Sequence, residues 1–76
     1  MTKDEYVEQL REGTRTVTFL KENGEIRVMK CSLHPKWLPE GQHDDQSVHA
    51  DDVVTAWDLD KDAWRSFKIG RVQAFV

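Results

Sequence analysis

The residues in this sequence that could do chemistry lie together near its end, where basic and aromatic side chains alternate. The segment AWRSFKIGRV holds three basic residues and no acidic one. A guanidinium can hold a phosphate through two parallel hydrogen bonds, and an indole ring beside a cation can stack on a nucleotide base. The pattern therefore favours a site for a phosphate and a base. Core packing is the alternative for either Trp, although the small interior is expected to leave at least one large aromatic exposed. The candidate contact residues of the site are Arg65, Lys68, Arg71, Trp57 and Trp64.

Arg65 has two interpretations, because strand alternation places it on the same face as Phe67 and Ile69. Those two apolar side chains are expected in the core, so Arg65 would lie inside or at the rim and would need an anionic partner. In one interpretation the partner is an acid across the hairpin, Asp58 or Asp62. In the other it is a bound phosphate, and both interpretations stay open.

Charge is divided between the predicted strands and their connections. Residues 63–76 carry three basic residues and no acid, whereas residues 34–62 carry eight acids against two lysines. Arg27 and Lys30, in an earlier predicted strand, join the basic candidates. The net charge is −3, and nucleic-acid binders are usually basic. Any phosphate binding is therefore expected to be modest and to weaken steeply with salt.

No enzyme, cofactor or reactive thiol is predicted. The sequence contains no G-x-S-x-G, Walker loop, dinucleotide fingerprint or H-E-x-x-H, the local patterns that mark common catalytic and cofactor sites. The single cysteine, Cys31, stands in the alternating segment IRVMKCSL. It is expected to be a small buried apolar residue.

Two metal hypotheses also fail on spacing. Asp58, Asp60 and Asp62 resemble the start of a calcium loop, but its sixth position is Ala63 and its twelfth is Ile69, so a turn is the expected structure. The histidines lie among aspartates without a recognised ligand spacing, and a solvated acidic loop explains them. They are His34, His43 and His49.

The N-terminal residues 1–13 are predicted to form a short helix. Thr2 followed by Glu5 matches a capping box, and Gly13 stands where a left-handed cap would end the helix. Its apolar residues share one narrow face, which predicts a helix that packs over one end of another element. They are Tyr6, Val7 and Leu10.

From Thr14 the period changes to two, and Asn23-Gly24 separates TRTVTFLK from IRVMKCSL. This dipeptide favours a two-residue type I′ hairpin turn. Counting outward from it predicts the pairs Lys21–Ile26, Phe19–Val28 and Val17–Lys30. That register places four apolar residues on the inner face. They are Val17, Phe19, Ile26 and Val28.

The rest of the chain predicts a second hairpin and a final strand. Residues 34–51 have no sustained period and are expected to be an irregular loop with a helical turn near Trp37 and Leu38. Strands are predicted at 52–59 and 63–69, and Gly70 is expected to bend the chain before RVQAFV. Five strands and one helix indicate a mainly β fold, a small five-stranded SH3-like or Sm-like barrel with a short N-terminal helix.

The chain is expected to be one domain, residues 1–76, with the barrel at 14–76. No apolar run approaches the roughly 20 residues of a membrane span, and the N-terminus is too polar for a signal peptide. A cytoplasmic location is therefore predicted, without a membrane partner.

Two segments, KCSLHPKWLP and AWDLDKDAWRSFKIGRV, resemble the WYL domain of bacterial transcription regulators, and in particular the short stand-alone WYL-like proteins of bacteriophages. The matching positions are Arg65, Phe67, Ile69 and Arg71. Two features depart from the family pattern: the Trp-Tyr-Leu triplet would fall near residues 52–54 and is absent, and no helix-turn-helix precedes the barrel. The resemblance implies an Sm-like, SH3-type barrel that senses a ligand or binds nucleic acid, in the cytoplasm of the host cell if a phage encodes it.

Two functions follow as expectations. The first is a non-enzymatic regulatory module that binds nucleic acid or a nucleotide-type ligand and takes part in transcription regulation. The alternative is an accessory protein that docks on a host protein such as a polymerase or nuclease, through an exposed aromatic residue and the acidic loop. Homo-oligomer formation is open under both.

Overall fold

One helix and five strands make up the structure, a computed structural model that describes residues 1–42 and 50–76. The elements are α1 (Lys3–Glu12), β1 (Thr14–Leu20), β2 (Ile26–Ser32), β3 (Val53–Asp58), β4 (Ala63–Lys68), a 3₁₀ turn (Ile69–Arg71) and β5 (Val72–Phe75). The mainly β class, the five strands and the N-terminal helix are confirmed. His43 and His49 of the predicted acidic loop lie outside the described residues. In these two ranges, no helix has the length and apolar character to cross a membrane.

The helix begins at the predicted capping box. Thr2 Oγ1 accepts from Glu5 N at 3.3 Å, and Glu5 Oε1 accepts from Thr2 N at 3.2 Å. These two bonds satisfy backbone N–H groups that have no partner within a helix. The predicted face is buried as well, with Leu10 at its centre.

The helix ends differently from the prediction. Gly13 has φ 168°, an extended conformation, so no left-handed cap is formed. Instead Ser32 Oγ donates to Gly13 O at 2.8 Å and to Leu10 O at 3.3 Å, and Leu33 N donates to Leu10 O at 2.9 Å. The last carbonyls of the helix are thus satisfied by the end of β2, which fixes α1 against the sheet.

All neighbouring strands pair antiparallel, in the order β4-β3-β2-β1-β5. In a flat sheet β4 and β1 would be about 14 Å apart, yet the rings of Phe67 and Phe19 have centroids 5.8 Å apart. The sheet therefore curls around its core. Within residues 1–42 and 50–76, β4 and β5 remain its two edges, so the curled sheet is open and a closed barrel is not shown.

The core lies inside the curl and under α1. Tyr6 of the helix meets Phe67 and Phe75 edge-on, with ring centroids 5.9 and 4.8 Å apart. Edge-to-face ring pairs of this kind add to the free energy gained from burial. The helix therefore covers one end of the curled sheet, as its narrow apolar face predicted.

The first hairpin turns through three residues, 22–24, instead of the predicted two. Lys21 N donates to Glu25 O at 2.7 Å, and Gly24 N donates to Lys21 O at 2.9 Å. Gly24 has φ 86°, whereas Asn23 has a negative φ. A type I turn followed by a left-handed glycine is the usual three-residue connection, and a type I′ turn would need positive φ at both central residues.

The extra turn residue shifts the register by one, which moves every side chain of β2 to the other face. Phe19 pairs with Arg27 instead of Val28. The predicted inner face is therefore right for β1 and wrong for β2, where Ile26 and Val28 are 60% and 65% exposed. The apolar residues that this hairpin buries are Val17, Phe19, Met29 and Cys31.

The second hairpin follows the prediction closely. Asp58 Oδ1 accepts from Asp60 N at 2.9 Å and from Lys61 N at 3.1 Å, and Asp62 has φ 51°. The three aspartates are therefore turn residues. The predicted helical turn is also present, since Trp37 N donates to His34 O at 2.9 Å.

The observed register predicts opposite effects for two neighbouring residues of β2. Met29→Ala should lower the free energy of unfolding by about 2–5 kcal/mol, because Met29 is 1% exposed and its loss leaves a cavity. Val28→Ala should change it by less than about 1 kcal/mol. Urea unfolding of both variants measures this, and the reverse order would support the two-residue turn.

Candidate functional site

A groove of about 580 Å³ opens between the tip of the first hairpin and β4. Residues 19–23 form one wall and residues 64–68 form the other, with Arg27, Val53 and Arg71 completing the lining. Phe19 and Phe67 are largely buried and form its floor. The groove therefore lies directly over the aromatic core, on the open side of the curled sheet.

The groove is strongly basic. Five cationic side chains line it, against one carboxylate, Glu22, among the described residues. In a concave site with apolar walls, charges of one sign reinforce each other and concentrate anions. The chain as a whole is acidic, so the positive potential is local. The five cations are Lys21, Arg27, Arg65, Lys68 and Arg71.

The structure brings together five of the seven residues predicted as contacts and separates two. Lys30 lies outside the groove lining; it pairs with Thr16, and both its neighbours in β2, Met29 and Cys31, are buried while Lys30 is exposed. Trp57 is opposite Trp64 in the β3–β4 ladder and does not line the groove. The five that line it are Arg65, Lys68, Arg71, Trp64 and Arg27.

Arg65 is exposed and lines the wall formed by β4. Within residues 1–42 and 50–76 its guanidinium forms neither a hydrogen bond nor an ion pair. Asp58 is turned into its own hairpin turn, where its carboxylate accepts two backbone N–H groups. The guanidinium of Arg65 thus keeps its donors for another partner.

Arg71 is fixed by a hydrogen bond, whereas Lys68 is held, among the described residues, only by a long, exposed ion pair. Arg71 Nη1 donates to Lys21 O at 3.1 Å, which ties the 3₁₀ turn to the hairpin tip. Lys68 Nζ lies 4.0 Å from Glu22 Oε1, and these side chains are 48% and 83% exposed. An exposed pair at this distance contributes little stability, so an anionic ligand could replace Glu22 at small cost.

One indole faces the groove. Trp64 and Trp57 are opposite each other in the β3–β4 ladder and meet edge-on, with ring centroids 5.4 Å apart. Trp64 Nε1 also donates to Gln42 Oε1 at 3.1 Å. These contacts fix the orientation of the Trp64 ring, while Trp37, outside the groove, is 42% exposed.

Sequence reasoning missed Lys21 and Glu22. Both belong to the hairpin tip, and the tip forms a wall of the groove only because the sheet curls it toward β4. No local pattern reports that contact. The sequence nevertheless contains an indication of this role. Residues beside a glycine turn form the tip of a hairpin, which extends beyond the sheet, and here these residues are charged.

Cys31 has no features of a catalytic nucleophile. It is fully buried, and burial together with the nearby carboxylate of Asp58 raises the pKa of its thiol to about 12. The thiol is therefore protonated at neutral pH, and the thiolate is the reactive form. In the part of the chain that the structure describes, no group of three His, Cys, Asp or Glu side chains could hold a metal ion.

Comparison with known proteins assigns a family. Residues 3–72 match WYL_2, described as an Sm-like SH3 beta-barrel fold. The match includes the helix, the first four strands and all the residues that line the groove. No curated protein and no solved structure matches the chain.

The raised pKa of Cys31 predicts an alkaline loss of stability. The unfolded thiol loses its proton near pH 9 and the folded one near pH 12, so between these values the unfolded chain binds fewer protons. The thiol's contribution to stability is then complete below pH 9 and falls as the pH rises, by up to about 1.4 kcal/mol per unit.

Urea unfolding of the native chain and Cys31→Ala at pH 8, 9.5 and 10.5 measures this effect. The stability difference between the two should shrink as the pH rises, since Ala cannot titrate. A stability difference between the two chains that stays constant over this pH range would contradict the raised pKa.

Proposed function

On the premise that the chain belongs to the WYL_2 family, we propose that it is a non-enzymatic regulatory module whose basic groove binds nucleic acid or a nucleotide-type ligand. The observation that carries the proposal is the cluster of five cations around one groove. Such a cluster is costly without an anion, because like charges repel each other. A ligand that brings several phosphates would relieve that repulsion.

The arrangement of the side chains suits phosphates followed by a base. Among the described residues Arg65 offers an unpaired guanidinium fork, and Lys68 is held only by a weak exposed pair. Next to them Trp64 presents a ring whose orientation is fixed by Trp57 and Gln42. A guanidinium recognises phosphate oxygens in pairs, and a preoriented indole stacks on a base at little entropic cost.

The size of the groove favours a single strand or a small ligand. Its volume of about 580 Å³ lies in the range of small-molecule sites. Duplex binding would instead require an extended basic surface of roughly 600–1,000 Å². We therefore place single-stranded segments and nucleotides ahead of duplex DNA.

A second candidate is the accessory protein that docks on a host polymerase or nuclease. The observation in its favour is a set of exposed apolar side chains. Ile26 and Val28, which the observed register leaves outside, are 60% and 65% exposed, and Trp37, in the segment after β2, is 42% exposed. Exposed apolar residues mark interaction surfaces when they are contiguous. Bacteriophage origin, a cytoplasmic location in the host, a closed barrel and self-association belong to these proposals and rest on the resemblance to stand-alone WYL-like proteins.

If the groove binds the ligand, removing charges that line it should weaken binding more than removing the same number of charges elsewhere. Arg65→Ala with Lys68→Ala should weaken binding of a labelled single-stranded oligonucleotide at least tenfold. It should also reduce the slope of log affinity against log salt by about 1.4, because two phosphate contacts are lost. Fluorescence anisotropy at two salt concentrations measures both quantities.

The matched control is Lys30→Ala with Lys61→Ala, which removes the same charge from outside the groove. It should change the affinity by less than about threefold, the effect expected from net charge alone. Equal weakening by the two double variants would contradict a groove site. Absence of binding by the native chain at low salt would favour the docking candidate.

A further inference from the structure

The wall of the groove formed by β4 is a backbone edge. Successive side chains of a strand point to opposite faces, so a cavity over one face is lined by alternate residues. Here all of residues 64–68 line the groove. The groove therefore runs along the free side of β4, which pairs with β3 on its other side.

The opposite wall of the groove is the end of β1, which also has no described partner strand on the side that faces the groove. β5 pairs with β1 from Thr16 to Phe19 and, among the described residues, no further toward the hairpin tip. Beyond Phe19, Leu20 and Lys21 continue past the start of β5 and line the groove. In the described part of the chain, the groove is thus a gap between two strands of one curled sheet.

We propose that this gap accepts an extended acidic peptide segment of another protein, which adds to the free edge of β4 as a sixth strand. The peptide's backbone would pair with the N–H and C=O groups on the side of β4 that no described strand covers. Its carboxylates would meet the cations of the groove. Strand addition of this kind draws its affinity from backbone hydrogen bonds and its specificity from side-chain pockets.

Charge selects the occupant. Exposed strand edges that carry Lys and Arg repel their own copies and so avoid edge-to-edge association. β4 carries Arg65 and Lys68 near its free edge, and no acid occurs within it. The same edge of a second copy is therefore disfavoured. An acidic strand is attracted, since the described lining of the groove has five cations and one carboxylate.

This inference goes beyond the proposed function, because a nucleotide would use the cations but not the backbone of β4. Both occupants would contact Arg65 and Lys68, so they should exclude each other. The backbone requirement distinguishes them: a peptide whose backbone nitrogens are all methylated keeps its charge but cannot donate to a ladder, whichever side it turns toward β4.

The test uses two fluorescein-labelled peptides of equal charge, Glu-Val-Glu-Val-Glu-Val and the same sequence with every peptide nitrogen methylated. The first should bind the full chain at least tenfold more tightly by anisotropy, and it should slow hydrogen exchange at the amides of residues 64–68. Arg65→Ala with Lys68→Ala should weaken its binding at least tenfold, whereas Lys30→Ala with Lys61→Ala should not.

Equal binding of the two peptides, or binding of neither, would overturn strand addition. So would a stable dimer whose β4 amides are already protected and unaffected by peptide, since a second copy would then occupy the edge. The same variants tested with the oligonucleotide keep the two proposals apart. Oligonucleotide binding without a peptide preference contradicts only strand addition, and a peptide preference without oligonucleotide binding contradicts only the nucleotide site.

Discussion

The register of the first hairpin is the constraint on which the rest of the structure depends. Because the turn takes three residues and Gly24 adopts a positive φ, β2 buries Met29 and Cys31 and leaves Val28 outside. The same register places Arg27 opposite Phe19, on the face that bounds the groove. One turn residue thus decides both the composition of the core and one of the five charges of the site. A one-residue slip would exchange Met29 for Val28 and remove Arg27 from the groove.

The groove follows from the way in which the sheet curls without pairing its edges. Aromatic packing between Phe19 and Phe67 draws β1 and β4 together at the core, but no described backbone pairing joins them above it. The space that remains is open to solvent, and its walls carry cations that could not be buried without partners. Stability and the site are therefore linked, because the aromatic side chains of the core are also the floor of the groove.

Local chemistry predicted the elements well. Thr2 and Glu5 form the expected capping box, alternation gave the five strands, and the aspartates after β3 form the expected turn. What failed depended on non-local contacts. Asn23-Gly24 is compatible with both a two-residue and a three-residue connection, and the choice is made by whether Met29 or Val28 packs better inside. Gly13 needed no left-handed conformation, because Ser32 supplies the hydrogen bonds from a distant strand. The basic and aromatic residues of β4 were recognised as candidates, whereas Lys21 enters the site only through the curl of the sheet.

The proposed function places an anionic ligand of this WYL_2 chain in the basic groove. The most direct measurement is a two-dimensional ¹⁵N NMR titration with a short single-stranded oligonucleotide, observing the backbone amides and the arginine Nε–H groups. The account predicts that the perturbed signals cluster at residues 19–23 and 64–68 and at the side chains of Arg27, Arg65 and Arg71. Perturbations confined to the outer face of β2, around Ile26 and Val28, or spread evenly over all basic residues including Lys30, would contradict it.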